Sequence, residues 1–197
     1  SQPLRTGFSN KHSLYVEGGE NSTRYGIELR HDLDAGVMKG SDRGRSGGGI
    51  YIDYRIKNFQ FRNHVTLDRV KGQNSPLGSF ADFTRRQPYD QIYDDQGNIV
   101  RVLPEWTPTA NRNLLLNPFF EATLNNSDRS LYTELVNNLS MQWQIHRTLQ
   151  FRGQLSFSKK ESEDESFTDP ESGKYYYAEV PRERRGDLSI STGRMFN

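Results

Sequence analysis

The stretch from Gly47 to Val70 restricts the fold more than any other. Ile50, Ile52, Tyr54 and Ile56 alternate with Tyr51, Asp53 and Arg55. After Lys57-Asn58, the residues Phe59, Phe61, Val65 and Leu67 alternate with polar ones. A period of two is the period of a strand, and a two-residue gap between such runs is a hairpin turn. That turn sets Ile56 against Phe59 and Tyr54 against Phe61, all on one face. A slip of one residue would move every apolar side chain to the other face.

The same alternation predicts strands over about 8–17, 23–33, 47–56, 59–70, 132–145, 149–159 and 184–196. Leu14 and Val16 share a face in the first strand; Tyr25, Ile27, Leu29 and Leu33 do so in the second. Leu135, Leu139, Met141, Trp143 and Ile145 align in the fifth, and Leu149, Phe151, Leu155 and Phe157 in the sixth. In the last, Leu188 and Ile190 align. A turn at His146-Arg147-Thr148 sets Ile145 against Leu149, Trp143 against Phe151 and Leu139 against Leu155.

Connections alternate in length. Gly18-to-Ser22, Lys57-Asn58 and His146-to-Thr148 are short, whereas 34–46, about 71–131 and about 160–183 are long. A meander with its long loops at one end is the arrangement of a transmembrane β-barrel, whose tilted strands need about 9–11 residues. The rival expectation is an antiparallel sandwich, which shows the same alternation. Asn63 and Asn137 fall on the apolar faces, where an amide facing lipid is costly unless it finds a partner.

Composition fits a barrel wall. The 197 residues are only 32% hydrophobic but 12% aromatic and 26% charged. If lipid covers one face, only alternate residues need be apolar. Glu28, Arg30, Asp53, Arg55, Arg62, His64 and Arg152 would then line a polar lumen. The 26 basic and 25 acidic residues balance to +1, which gives no basic face for nucleic acid. No cysteine is present, so no disulfide frame or Cys-based metal site is expected. No apolar run reaches the roughly 18 residues of a membrane helix, the longest cluster being Leu114-Leu115-Leu116. Residues 1–10 contain no signal-peptide apolar core, the chain starts without Met, and it ends within a strand pattern. These features suggest a fragment.

Motifs for chemistry are sparse. His12, His31 and His64 fall in strands and His146 in a turn, with no His-x3-His pair. The Gly-rich Ser41–Ile50 segment lacks the Lys-Ser/Thr ending of a phosphate-binding loop and reads as a flexible loop entering a strand. Asp94–Asn98 lacks the calcium-loop spacing and reads as a hairpin tip between Ile92 and Ile99. The acidic run Glu161–Glu165 reads as a solvated loop, with divalent-cation binding as its alternative. Tyr175-Tyr176-Tyr177 suits an aromatic girdle or loop packing, with sugar stacking as the alternative. No catalytic, cofactor or metal residue is assigned, no cofactor is expected, and an enzyme is not expected. A barrel hydrolase would need clustered Ser, His and Asp.

Several motifs in order resemble the SusC/RagA family of TonB-dependent outer-membrane transporters. They are Arg5-Thr6-Gly7-Phe8, His12, Leu14, Gly18-Gly19, Arg24-Tyr25, Gly36-Val37, Lys39-Gly40-Ser41 and Arg45. Ser75-to-Phe80, Asp82-Phe83, Gln87-Pro88-Tyr89, Tyr93-to-Asn98 and Asn117-to-Phe120 continue the series. Ser13, Glu17, Leu77 and Phe83 depart mildly from the family pattern. The resemblance is strongest over 5–126. It implies that residues 1–197 are part of a barrel of about 22 strands, lacking the plug. It also implies an outer-membrane location, a SusD-like surface lipoprotein partner, energy from the TonB complex through the absent plug, and an oligosaccharide or peptide cargo. The alternative function is that of a soluble secreted sandwich that binds carbohydrate.

Overall fold

The computed structural model describes residues 2–84, 86–103, 115–176 and 186–197. Seven strands form one antiparallel sheet: β1 (Phe8–Glu20), β2 (Thr23–Ala35), β3 (Asp42–Ile56), β4 (Phe59–Gln73), β7 (Ser127–His146), β8 (Leu149–Thr168) and β9 (Asp187–Phe196). Each pairs with the next of these in chain order, so the sheet is an up-and-down meander. The sheet is open, with β1 and β9 at its edges. The β4–β7 connection holds two short helices, α1 (Phe80–Thr84) and α2 (Pro118–Glu121), and a small pair of strands, β5 (Val102–Leu103) and β6 (Leu115–Leu116). The described residues form this sheet and the two-residue pair, not two packed sheets.

The hairpin registers follow the side-chain pattern. Ile56 pairs with Phe59 and Tyr54 with Phe61. Trp143 pairs with Phe151 and Leu139 with Leu155. One expected pair is corrected: Leu149 opposes His146, not Ile145, because Ile145 is an extra residue in a β-bulge. The turn is therefore Arg147-Thr148, and His146 belongs to β7. The Gln144 amide donates to the carbonyls of His146 at 2.7 Å and Leu149 at 3.4 Å, which satisfies the bulged backbone. At the β3–β4 turn Lys57 takes a positive φ of 47°, the left-handed conformation that such tight turns demand.

Strands run further than the apolar pattern. The glycine-rich segment is not a loop: residues 42–50 belong to β3. The acidic run is not a loop either: Glu161–Glu165 is strand, paired with Thr133-to-Arg129 on one side and Arg194-to-Ile190 on the other. The long connections shrink accordingly to 36–41, 74–126 and 169–186, all at one end of the sheet. Leu114, Tyr177 and the expected start of the last strand at 184–185 lie outside the described residues.

One face carries the apolar side chains in register. Across the strands, rows run from Ile56, Phe59, Trp143 and Phe151 up to Leu14, Leu29, Gly48, Leu67 and Leu135. No layer covers them: Val16, Ile27, Ile50 and Leu155 are 58%, 51%, 55% and 66% exposed. Val70 and Leu103 are the hydrophobic side chains that are buried among the described residues. The accessible surface of 14436 Å² far exceeds the roughly 9,600 Å² expected of a self-contained globule of this mass. A sheet with this much exposed apolar area requires another surface against it.

Candidate functional site

The opposite face is polar, and three glycines let its charged groups meet. Arg30 on β2 and Asp68 on β4 both flank Gly47 on the intervening β3. A Cβ at Gly47 would overlap the Asp68 carboxylate, so the missing side chain opens the path between them. Arg30 Nε lies 3.2 Å from Asp68 Oδ1, and Arg45 Nη2 lies 3.1 Å from Oδ2. One pair further along, Gly49 separates Glu28 from Thr66, and Glu28 Oε1 reaches His64 Nε2 at 3.6 Å. Nearer the short turns, Asp53 accepts from Gln60 at 2.8 Å and pairs with Arg62 at 3.0 Å.

Glu28, Gly49, Arg62 and His64 border a shallow cavity of about 440 Å³. Gly26 floors it, since any Cβ there would press on Tyr15 and Tyr51. Glu28, Arg62, His64, Asn138 and Gln154 supply hydrogen-bonding groups around it. Of the expected polar-face residues, Glu28, Arg30 and His64 are joined with Asp68 and Arg45 in one network, Asp53 and Arg62 pair separately, and Arg152 reaches Gln150 at 3.3 Å. No ion pair joins Arg55 to the network among the described residues. Such a surface can bind polar cargo or a polar protein segment.

The second assembly caps the end with the long connections. Arg5 donates to the carbonyls of Gly36 at 2.9 Å and Ser41 at 2.8 Å, and pairs with Asp42 at 2.7 Å. That clamps the segment before β1 onto the β2–β3 turn. The same turn meets the long connection: Ser75 Oγ donates to the Lys39 carbonyl at 2.7 Å, and Pro76 fills the space beside Gly40, whose φ is 78°.

Within the long connection, Asn117 is fully buried. Its Oδ1 accepts from the Phe119 amide at 3.1 Å, capping α2, and its Nδ2 donates to Val100 O at 2.6 Å. Asn at the cap and Pro at the first turn form a helix-start signature. Phe119 then meets Phe83 edge-on at 5.4 Å. Asp94 organises the expected tip: Tyr93 bridges Ile99, and the carboxylate accepts from the Asn98 amide at 2.7 Å. That backbone contact, with the Asn98 side chain and the Gln96 and Gly97 amides, holds the Asp94 carboxyl below its usual range.

Two long connections are locked together by Glu121. It accepts from Gly173 N at 2.6 Å, Ser172 Oγ at 2.8 Å and Asn126 Nδ2 at 3.2 Å. Arg101 completes the joint by donating to Ser172 O at 2.6 Å, with its guanidinium 5.9 Å above the Tyr176 ring. Tyr175 and Tyr176 thus belong to loop packing, in a 3-10 turn at Gly173–Tyr175. Phe80, Tyr89 and Tyr93 stay 49%, 60% and 56% exposed on this cap.

The sequence signals found the segments but not the joints. Arg5, Lys39-Gly40, Ser75-Pro76 and Asn117 were separate motifs, and folding gathers them at one end. Glu121, Ser172 and Gly173 carried no signal of their own, since a polar triplet in a loop pattern is unremarked. Among the described residues no cluster of three His, Asp or Glu side chains could hold a metal ion. No protein-family model matches this chain, and no curated protein matches it.

Proposed function

We propose that the chain is a section of wall and external loops of a TonB-dependent, SusC-like outer-membrane transporter. In that reading the apolar face meets lipid, the polar face lines the interior, and the folded cap stands outside the cell. The cargo is an oligosaccharide or peptide, captured with a SusD-like lipoprotein, and energy arrives from the TonB complex through a plug domain. The chain itself performs no catalysis.

One observation carries the reading: a bare apolar band that approaches the roughly 25 Å height of a barrel's lipid-facing belt. Five rows of side chains span about 27 Å along the strands, or roughly 20 Å along the normal at a tilt near 40°. Aromatic residues Phe59, Trp143 and Phe151 form its border at the short-turn end, where a girdle would lie. The row beyond its other border turns polar, with His12, His31, Ser46, Arg69 and Glu161. Long connections at one end and the ordered family motifs agree with it. The sandwich alternative would require a second sheet over this band.

The test is lipid contact of Trp143 in the natural full-length protein, with Trp106→Phe and any other tryptophans replaced. Lipids brominated near the headgroup should quench its fluorescence, and aqueous iodide should not. Quenching by iodide alone would place Trp143 in water and end the membrane reading.

A further inference from the structure

On the lipid-facing side, just beyond the apolar band, lies a cleft of about 540 Å³. Its floor is Gly44, where the lack of a side chain leaves a gap between Leu33 and Lys71. Arg69, Lys71 and Arg129 stand around it. Lys71 and Arg69 are same-face neighbours on β4, and Arg129 opposes Gln73, one pair further out. None of the three makes an ion pair within 4.0 Å among the described residues.

The carboxylates nearby are only partly available to them. Asp42 is engaged by Arg5 at 2.7 Å, and Glu161 by Lys159 at 3.0 Å and Arg194 at 3.4 Å. Glu163 and Glu165 remain across the cleft on β8. The site is therefore dipolar, with three cations on β4 and β7 and two carboxylates on β8. Its height matches the headgroup layer, which extends roughly 5–8 Å beyond the hydrocarbon on each side.

We propose that this cleft binds the phosphorylated headgroup of a membrane lipid. Resting on the membrane reading above, the phosphate sits among Arg69, Lys71 and Arg129, since charge-assisted bonds from Arg and Lys are strongest to such oxygens. The headgroup's own cationic partner faces Glu163 and Glu165. The acyl chains descend past Thr133 onto Leu67 and Leu135, so the charged cleft and the apolar band touch one molecule. Lys and Arg suit this depth because their stems stay on apolar surface while their heads reach the interface.

The experiment counts lipid phosphate retained by the natural full-length protein, extracted from its own membranes and exchanged into detergent. Wild-type protein should keep a tightly held lipid phosphate. Arg69→Gln/Lys71→Gln/Arg129→Gln should lose it, whereas Lys71→Arg and the distant Arg147→Gln should keep it. Unchanged Trp143 quenching in the triple variant shows that the fold survives. Equal retention by wild type and triple variant overturns the site, as does inorganic phosphate binding with no lipid retained. A wild-type protein quenched by brominated lipid but free of lipid phosphate sinks this site alone. An unquenched Trp143 sinks the membrane reading, and this inference with it.

Discussion

Asn63 on β4 donates its side-chain amide to Asn137 Oδ1 on β7 at 2.7 Å, in the middle of the apolar band. The two are diagonal neighbours, Asn63 opposite Leu139 and Val65 opposite Asn137. Each amide meets part of the other's hydrogen-bonding need where the surrounding side chains offer none. Replacing one partner strands the other, at about 1–3 kcal/mol, whereas replacing both by apolar groups is nearly neutral. Asn63→Leu and Asn137→Leu should each destabilise the protein by that amount, and the double variant by much less. Denaturant unfolding of the four forms in detergent measures the coupling; additive losses would show that the pair is not coupled.

Gly47 predicts a second asymmetry. A methyl there overlaps the Asp68 carboxylate, while one at Gly44 meets only ordinary contacts at 3.5 Å and beyond. Gly47→Ala should therefore cost about 2 kcal/mol through the displaced Arg30–Asp68–Arg45 network, and Gly44→Ala should cost little. Thermal unfolding of both variants under one condition makes the comparison, and equal shifts would contradict it.

Glu121 should control the coupling of the two longest connections. Glu121→Ala leaves Gly173 N and Ser172 Oγ without their acceptor, a loss of about 2–3 kcal/mol for hydrogen bonds to a charged group. Hydrogen exchange should quicken over 170–176 and around 117–126, with β7 and β8 near the short turns unchanged. Protection that survives the substitution would mean that apolar contacts alone hold the cap.

Acid should loosen the Asp94 tip before the sheet. Its folded-state pKa is depressed below the unfolded value by the Asn98 amide and its neighbours. The stabilisation is thus complete above the unfolded pKa and is lost as pH falls through the folded one. Amide signals of 94–98 followed by NMR should broaden or shift on acidification below the ordinary carboxylate range. Asp94→Ala should remove that dependence; a tip with the same pH profile in the variant would assign the titration elsewhere.

How much was legible depends on what water or lipid touches. Where one face is apolar, the sequence reports it, and the Tyr54–Phe61 and Trp143–Phe151 pairs follow directly. Where both faces are polar, alternation has no apolar member to reveal it. That is why Glu161–Glu165 looked like a loop although it is paired on both sides. The start of β3 at 42–46, ahead of the predicted 47–56, was hidden because Gly44 has no side chain to alternate and its neighbours Arg43, Arg45 and Ser46 are polar. The Ile145 bulge was invisible because one extra residue near a turn leaves the distant pairs in register.

The sequence by itself determined the meander, the two faces and the end at which long connections gather, since these depend on local period and turn chemistry. Only the tertiary structure decided that Asn63 meets Asn137, that Arg30 reaches Asp68 over Gly47, and that Glu121 ties Ser172 and Gly173 to the cap. Each of those contacts joins residues from different strands or loops. Their meeting depends on cross-strand register and on space left by missing side chains, and neither is written in any local stretch.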